Sequence, residues 1–467
     1  MLSLTLGIDV ACRAAHQATL SGPEGKVIWS GRKFFTSPAD LQRLWDDLDI
    51  ADDPSVLTVV LEPTRNAWAV LASWFHRRGV KVCLVPATQS ADLRAYFSKH
   101  TKNDRLDSRI LARLPLFHPE GLRDYAGAGP ADSLRRLARQ RASLVKRRSA
   151  VFARLDALLE LLGPAWYAAL GSRYGKTTLA LLTQYGSPVG VLRLGRSRLT
   201  RFLIRASHGR WRETQADLIL AAARESLQLW HADDLDFTDL ALSIRVEAEQ
   251  AQALTRLIED LDQHIASLYA HADPTGIVAS APGVGPVNAG VITGRLGDPH
   301  RFHNLAAARA YTGLVPRTQQ SGVSSRQNGL TKAGDALLRE ALFNAADHAR
   351  KTDPQLAAKY VRLMNEGKHH NSALCHLAST LVTRIVTCQR TGEHYVIRDT
   401  DGRTITEAEG RQIIKTHHQV NPKTRAAARK LRRAQKAKQR TGRVHQESQN
   451  APTTRPANTQ HKDQLVA

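Results

Sequence analysis

The first 120 residues alternate between strand-like and helix-like patterns. Runs rich in β-favouring residues at 2–10, 14–20 and 26–35 are separated by turn residues, which predicts a three-stranded antiparallel meander. A helix is expected to begin at Pro38 and to extend to about residue 48, because proline is favoured at the first helical position.

The next segments predict a β-α-β-α succession. Residues 56–61 form a continuous apolar run of the kind found in strands that are buried on both faces. We predict a helix at 67–78, a strand at 80–85 and a helix at 104–114. A meander followed by β-α-β-α is the element order of a ribonuclease-H-like fold. The predicted fold class is therefore α/β at the amino-terminal end, followed by a mainly helical remainder.

Two later segments carry apolar residues at alternating steps of three and four, which is the pattern of a heptad seam. The first lies within residues 130–163, where Arg141 and Arg148 interrupt the seam, and the second runs from 240 to 268 with Glu247 at one seam position. Two such helices predict either an antiparallel hairpin or a coiled coil between subunits. An ordinary pair of core helices would explain either seam alone.

The segments before and after the second seam have a less regular pattern of apolar residues. Residues 164–232 predict a small helical insertion, whose basic part is broken by Gly195 and Gly209. Gly283 and Gly285 have the spacing of a helix–hairpin–helix turn, whose backbone amides bind phosphate, although such a turn is often only a tight connection. A polar loop is predicted at 318–329. Further helices are predicted after it at 330–348, 354–365 and 372–387.

The charge of the chain is strongly positive, with 66 Lys and Arg against 43 Asp and Glu and a net charge of +23. Residues 121–210 carry 17 basic and 4 acidic side chains, whereas residues 211–270 carry 4 and 12. Residues 423–443 hold ten basic side chains and no acid, and we expect 401–467 to be a disordered basic tail. Such clustering indicates a nucleic-acid partner.

Other bulk features favour a cytoplasmic, nucleoid-associated protein with no membrane partner. The sequence has no apolar run near the roughly 20 residues that a membrane span needs. It shows no secretory signal at its amino terminus. Its four cysteines have neither metal spacing nor the pattern of a disulfide framework, which suits a reducing compartment.

Four acidic residues could form a magnesium site. Asp9 and Glu62 each follow a predicted strand, and Asp104 and Asp107 lie three residues apart on one helix face. Carboxylate oxygens are the ligands that Mg²⁺ prefers, and two metal ions so held would stabilise both oxygens of a phosphoryl transfer. Each acid alone would more often be a helix cap or a partner of the helix dipole.

Short motifs lie in two blocks of the chain, an amino-terminal block around the four acids and a carboxy-terminal block from Pro282 to Arg339. The first contains Gly-Ile-Asp, Leu-Glu-Pro-Thr and Lys-Asn-Asp-Arg-Leu-Asp, and the second contains Pro-Gly-Val-Gly-Pro, Gly-Leu-Val-Pro, Ser-Gly and Thr-Lys-Ala-Gly-Asp. In these motifs the chain resembles the DEDD transposases of the insertion sequence one hundred and ten family, which act as bridge-RNA-guided recombinases.

The resemblance implies a domain organisation and a set of partners. It implies a RuvC-like catalytic domain at 1–125, a coiled-coil region with a basic insertion at 130–270 and a transposase domain at 275–400. It also implies Mg²⁺ as cofactor, donor and target DNA as substrates, and a structured bridge RNA as guide. The expected assembly is a homo-oligomer in which dimers form a tetramer.

The resemblance further implies a serine nucleophile, which by position is Ser321. Ser324 and Ser325 lie in the same predicted loop and are rival candidates. Serine at its ordinary pKa is a weak nucleophile, so the reaction requires activation and stabilisation of the phosphoryl charge. The residues expected to contact nucleic acid through a cationic group or a backbone amide are Gly283, Gly285, Arg317, Arg326 and Lys332.

Three other functions fit parts of the sequence. A metal-only RuvC-like nuclease or junction resolvase would use the acids and activated water without a serine. An actin-like or sugar-kinase-like ATPase also opens with Gly-Ile-Asp, but the following Val10-Ala11-Cys12 lacks the glycine or threonine that its phosphate loop needs. A nucleic-acid-binding scaffold would leave the acids with structural roles only.

Overall fold

The computed structural model describes residues 4–97, 104–119, 122–125, 127, 129–171, 174–231, 234–321, 324–424 and 426. The chain divides into two compact units, Met1–Gly129 and Pro130–Ala467. The first is a mixed α/β unit built on a six-stranded sheet, and the second is mainly helical.

The sheet of the first unit has the strand order β3-β2-β1-β4-β5-β6. The first three strands pair antiparallel, which confirms the predicted meander, and β1 pairs parallel with β4, as β4 does with β5. The strands are β1 (Leu4–Asp9), β2 (His16–Ser21), β3 (Val27–Phe34), β4 (Leu57–Leu61), β5 (Lys81–Leu84) and β6 (Arg123–Asp124).

Helices cover both faces of this sheet. They are α1 (Pro38–Asp46), α2 (Ala67–His76), α3 (Ala87–Phe97) and α4 (Asp104–Phe117). Ser37 caps α1 by accepting a hydrogen bond from the Asp40 N–H, with Pro38 at the first position as the sequence predicts. Leu6 and Ile8 of β1 pack with residues of α1 and α2 on one face. On the other face Val60 of β4 packs with Leu111 of α4.

The two seam helices, α5 (Pro130–Glu160) and α11 (Phe237–Ala272), pack antiparallel within one chain in the second unit. Arg141 forms an ion pair with Asp262, and Arg154 forms a bidentate pair with Glu247 at 2.7 and 3.0 Å. Arg148 Nη1 donates to Thr255 Oγ1 at 3.4 Å. As the residue number rises on α5 it falls on α11, so the antiparallel pair is the arrangement found.

Five helices between α5 and α11 complete the helical bundle. They are α6 (Ala165–Leu170), α7 (Lys176–Tyr185), α8 (Pro188–Leu194), α9 (Arg196–Ala206) and α10 (Glu213–Leu229). Trp166 is fully buried at the centre of this part, and its Nε1 donates to Ser226 Oγ at 2.7 Å. The predicted small helical insertion is thus a bundle with a core of its own, which also includes Leu155 and Ile244.

The described residues of the carboxy-terminal part of the second unit form six α-helices and a two-stranded hairpin. The helices are α12 (Pro286–Leu296), α13 (Leu305–Thr312), α14 (Ala336–Ala349), α15 (Pro354–Asn365), α16 (His370–Thr391) and α17 (Glu407–His417). Strand β7 (Pro316–Ser321) pairs antiparallel with β8 (Ser324–Leu330), so the predicted polar loop is wrong. These strands have no apolar alternation, and backbone pairing of polar residues leaves no signal in a hydrophobic pattern.

Two further predictions differ from the structure. Residues 273–285 form turns, so the predicted helix–hairpin–helix lacks its first helix immediately before Gly283. The predicted disordered tail from residue 401 is wrong for 401–420, because α17 has a capping box between Thr406 and Glu409 and buries Ile414. Residues 427–467 lie outside the part of the chain that the structure describes.

Candidate functional site

Asp9 and Glu62 lie side by side at the carboxyl edge of the sheet. Ile8 of β1 is in register with Leu61 of the parallel strand β4, so the next residue of each strand is one of the two acids. Both side chains are partly buried. Side chains alternate along a strand, which places Glu62 on the same face as Val60, the face that α4 covers.

Helix α4 lies against β1 because Gly7 has no side chain. A Cβ at Gly7 would overlap the backbone of Ser108 and Ala112 of α4. Two hydroxyl groups of β2 also fix the helix: Thr19 Oγ1 lies 2.8 Å from Ser108 Oγ, and Ser21 Oγ donates to Ala112 O at 2.8 Å. The helix therefore has a defined position along the sheet.

These contacts also give the direction of α4. Ser108 lies beside Thr19, which is in register with Gly7, whereas Ala112 lies beside Ser21, which is in register with Thr5. The amino end of α4 therefore points toward the edge at which β1 ends. Asp107 precedes Ser108, and Asp104 is the first residue of the helix, so both lie at the same edge as Asp9 and Glu62.

Glu62 has a partner that the sequence did not predict. The buried hydroxyl of Ser90, on α3, donates to Glu62 Oε2 at 2.5 Å. This contact orients one carboxylate oxygen and leaves the other lone pairs of the group for a further ligand. No pattern in the sequence marks Ser90, because its role depends on where α3 packs.

His16 holds the segment that follows Asp9. The backbone N–H of Ala11 donates to His16 Nδ1 at 3.0 Å, so Nε2 carries the ring proton and donates to Thr36 Oγ1 at 2.6 Å. Burial lowers the pKa of His16 below its ordinary value, and the ring is neutral in this arrangement.

The donor chemistry at this edge fits a divalent metal ion, since the converging groups are carboxylates. Among the side chains that the structure describes, no group of three or more His, Cys, Asp and Glu residues is arranged to hold a metal ion. The side chain of Asp104 lies outside that description. Asp9, Glu62 and Asp107 thus share an edge and a face, and their joint coordination of a metal stays a prediction.

Cys83, on β5 of the same sheet, is chemically unreactive. Burial and the neighbouring carboxyl group of Asp124 raise the pKa of the Cys83 thiol to about 12. The thiol Sγ donates to Asp124 Oδ1 at 3.3 Å. A thiol that stays protonated is a poor nucleophile, so this cysteine is a structural residue.

The predicted nucleophile Ser321 is the last residue of β7, in the second unit. It is in register with Ser324, the first residue of β8, while Ser325 is in register with Gln320. The side chains of all three serines, and that of Arg326, lie outside what the structure describes. The choice of Ser321 over its rivals therefore stays a prediction.

The base of this hairpin is fixed by two glycines. A Cβ at Gly334 would overlap the backbone of Gly313 and Tyr311, so the two chain segments cross in direct contact. Gly313 also has a φ of 68°, a conformation that favours glycine. Arg339 Nη1 donates to Thr312 O at 2.9 Å and to Lys332 O at 3.4 Å, which ties the two segments together.

The remaining residues predicted to contact nucleic acid have different surroundings. Arg317 and Lys332 are both exposed at the base of the hairpin, the first near the start of β7 and the second just after the end of β8. A Cβ at Gly283 would lie 2.5 Å from Ala345 O, so this glycine allows close packing against α14. Gly285 has open space around it and precedes Pro286, the first residue of α12.

Comparisons with known proteins identify the family. A model for DEDD transposases of the IS110 type, described as "Transposase", matches residues 6–164. A second model, described as "Transposase IS116/IS110/IS902 family", matches residues 276–361. The chain belongs to the IS110 family of transposases. The first match contains the four acids and the second contains the hairpin with Ser321.

Individual relatives agree with this assignment. The chain is 27% identical to "Insertion element IS110 uncharacterized 43.6 kDa protein" of Streptomyces coelicolor over 84% of its own length and 95% of that protein. It is 27% identical to "Insertion element IS116 uncharacterized 44.8 kDa protein" of Streptomyces clavuligerus, over 73% and 87%. A shorter match, 29% identical over 30% and 43%, is to "Transposase for insertion sequence element IS1328" of Yersinia enterocolitica.

As a transposase, the protein is an enzyme that cleaves and rejoins DNA. DEDD transposases typically use a divalent metal ion. In the described part of the chain, no helix is long and apolar enough to cross a membrane.

Proposed function

We propose that this transposase cleaves and rejoins DNA at a ribonuclease-H-like catalytic site, with Ser321 as the nucleophile. The observation that carries the proposal is the convergence of Asp9, Glu62 and the amino end of α4 at one edge of the sheet. The sheet order β3-β2-β1-β4-β5 and the mixed pairing support the ribonuclease-H-like assignment. The family match over this region supports the DEDD role of the acids.

Asp9, Glu62, Asp104 and Asp107 would hold Mg²⁺. When bound, Mg²⁺ supplies positive charge that stabilises the phosphoryl oxygens of the DNA during strand transfer. Ser90 keeps Glu62 oriented through its hydrogen bond, and His16 holds the backbone that follows Asp9. These two residues position the acids without touching the DNA.

The serine step transfers one phosphoryl group. Ser321 Oγ forms a bond to a DNA phosphorus atom while one bond between that phosphorus and a deoxyribose oxygen breaks. The serine proton leaves, and the released oxygen ends as a hydroxyl group. The resulting phosphoserine ester retains the energy of the cleaved strand, so a new hydroxyl group can reverse the reaction and rejoin DNA. Arg317, Arg326 and Lys332 would counter the phosphoryl charge.

Guidance by a structured bridge RNA and assembly as a tetramer of paired dimers are further parts of this proposal. The net charge of +23 and the ten basic side chains of residues 423–443 support a large polyanionic partner in addition to the DNA. Gly283 and Gly285 precede the amino end of α12, where backbone amides could contact a phosphate of the nucleic acid. In such an oligomer, the four acids of one subunit and Ser321 of another could act on the same DNA phosphate.

The test uses a supercoiled plasmid that carries the gene with its own flanking DNA. Wild-type protein should leave a covalent protein–DNA adduct on a denaturing gel when the reaction is stopped early. Ser321→Ala should lose the adduct and the recombinant product but retain DNA binding. Asp9→Asn should lose cleavage, and EDTA should have the same effect on the wild type.

Matched variants separate this proposal from its rivals. Ser324→Ala and Ser325→Ala should retain the adduct, and its loss in either of them, with retention in Ser321→Ala, would assign the nucleophile to that residue instead. Cleavage that persists in all three variants without any adduct would favour a metal-only nuclease or resolvase. Unchanged recombination by the Asp104→Ala, Asp107→Ala double variant would leave those acids with structural roles only.

A further inference from the structure

The bundle between α5 and α11 contains a stretch of chain without acidic residues. No Asp or Glu occurs from residue 161 to residue 212, whereas nine Lys and Arg do. From residue 165 onward this stretch lies between the two segments that match the family models, 6–164 and 276–361. We name the sheet edge with Asp9 and Glu62 the acidic edge, and the β7–β8 hairpin with Ser321 the serine hairpin. Neither of them includes this stretch, so its charge needs a separate explanation.

Helix α9 presents this charge in a regular way. Leu199, Phe202 and Leu203 are buried and fix one side of the helix in the bundle. On the exposed side Arg198, Arg201 and Arg205 follow one another at steps of three and four, which places them along one face. We name these three residues the arginine stripe.

The arginine stripe is not neutralised by carboxylates. Among the residues that the structure describes, none of its three members forms an ion pair with an Asp or Glu, whereas their neighbour Arg196 forms a bidentate pair with Asp217 at 2.6 and 2.8 Å. The Nε–H of Arg198 donates to Leu194 O at 3.0 Å, so the Nε side of this guanidinium group faces the carboxyl end of α8. Three cations with no acidic partner repel each other, and a bound anion would relieve that repulsion.

We propose that the arginine stripe binds the phosphate backbone of duplex DNA. The seven residue-to-residue steps from Arg198 to Arg205 extend about 10 Å along the helix at the α-helical rise. One strand of duplex DNA presents a phosphate about every 3.4 Å of its axis, so the stripe spans about three phosphates. Guanidinium groups bind phosphate oxygens through paired hydrogen bonds, which suits this surface to the DNA backbone.

Duplex DNA fits this surface better than a protein partner does. Protein interfaces depend on buried aromatic or aliphatic anchors at their centre. On α9 the large apolar side chain that is exposed is Ile204, at 37%, and it lies beside the charged arginine stripe. DNA is the polymer on which this family acts, and the inference rests on that membership, not on the serine chemistry.

The test measures the affinity of the full-length protein for a 30-base-pair duplex by fluorescence anisotropy between 50 and 300 mM salt. The variant combines Arg198→Gln, Arg201→Gln and Arg205→Gln. Each lost phosphate contact should reduce the slope of log K against log salt by about 0.9, so the variant slope should be about 3 units shallower than that of the wild type.

A matched control removes the same charge elsewhere. Arg224, Arg245 and Arg256 are exposed on α10 and α11, within the segment that carries 12 acids and 4 basic residues. The triple replacement of these three by Gln should leave the slope unchanged. An equal slope for the stripe variant and the wild type, or an equal loss in both variants, would overturn the proposal.

Four further measurements keep the outcomes distinct. The circular dichroism spectrum of the stripe variant should match that of the wild type, which would exclude loss of folding as the cause of a shallower slope. The corresponding triple Lys replacement, which keeps the positive charges, should recover most of the slope. Duplex RNA of the same length should show a smaller change than DNA, and a larger change for RNA would overturn the commitment to DNA. Ser321→Ala should keep the wild-type slope, so failure of the serine mechanism would leave this result intact.

Discussion

Asp335 accepts hydrogen bonds from both Nε and Nη2 of Arg295, while its other oxygen caps α14 by accepting from the Leu338 N–H at 2.9 Å. The side chain of Asp335 is 4% exposed and that of Arg295 is 11% exposed. The pair therefore joins α12 to the start of α14, directly after the crossing of Gly334 and Gly313 that supports the serine hairpin.

Removal of this carboxylate should destabilise the second unit. Asp335→Ala leaves a buried arginine without its counter-charge, and breaking such a pair typically costs about 3–5 kcal/mol. Loss of the helix cap adds about 1 kcal/mol. Urea unfolding of the variant measures the loss. The exposed pair of Arg196 and Asp217 provides the control, because a solvent-screened ion pair contributes little and Asp217→Ala should destabilise the protein far less than Asp335→Ala does. Equal losses in the two variants would contradict the role assigned to Asp335.

Ser90→Ala should weaken the use of metal by the enzyme while leaving the fold intact. The variant removes the hydrogen bond that orients Glu62, and loss of such an outer contact typically reduces metal affinity or activity by about 10–100-fold. The Mg²⁺ concentration that gives half-maximal plasmid cleavage measures the effect. Ser73→Ala is a suitable control, because Ser73 bonds to the Tyr125 hydroxyl in the same unit. A Mg²⁺ requirement equal to that of the wild type would remove Ser90 from the site.

Gly7→Ala should displace α4 and with it Asp107. The new methyl group would overlap the backbone of Ser108 and Ala112, and forcing extra volume into a packed core typically costs about 1–3 kcal/mol. Both a lower unfolding midpoint and a loss of cleavage are expected. Gly22→Ala is the control, since its nearest neighbour would be Lys26 O at 3.9 Å and its stability should stay near that of the wild type. A Gly7→Ala protein with wild-type stability would show that α4 does not lie as described.

Stability of the first unit should fall as the pH drops below about 6.5, the ordinary pKa of histidine. Burial lowers the pKa of His16 in the folded state, so the unfolded chain binds more protons in the window below 6.5. The contribution of His16 is complete above that pH and declines as the pH falls toward the folded-state pKa. Urea unfolding at pH 7.5 and pH 5.5 measures the difference. The His16→Gln variant should lose less stability between the two pH values, and an unchanged difference would assign the effect to other groups.

Hydrophobic patterning was sufficient to predict most of the first unit. The meander, the buried strand β4 and the position of α4 follow from apolar runs and from turn residues, so Asp9, Glu62 and Asp107 could be placed at strand and helix ends. Helix α3 was not predicted. The hydrogen bond between Ser90 and Glu62 was missed with it, because that contact depends on a tertiary packing arrangement that local sequence does not encode.

The elements and contacts formed by polar residues could not be predicted from the sequence. Strands β7 and β8 consist largely of Thr, Gln, Ser and Arg, and their pairing depends on backbone hydrogen bonds that side-chain periodicity does not reveal. Arg141 interrupts the predicted seam of α5. Only the structure shows that it forms an ion pair with Asp262 on the neighbouring helix α11. The sequence thus predicted both helices but not the ion pair that aligns them.

The contact at Gly7 has a consequence for how such a site can evolve. The position of α4, and with it that of Asp107, relative to Asp9 is set by a backbone contact at a residue with no chemistry of its own. Selection for activity should therefore act on the missing side chain as strongly as on the acids. A search of diverged copies for this glycine would separate inactivated elements from working ones even where all four acids survive.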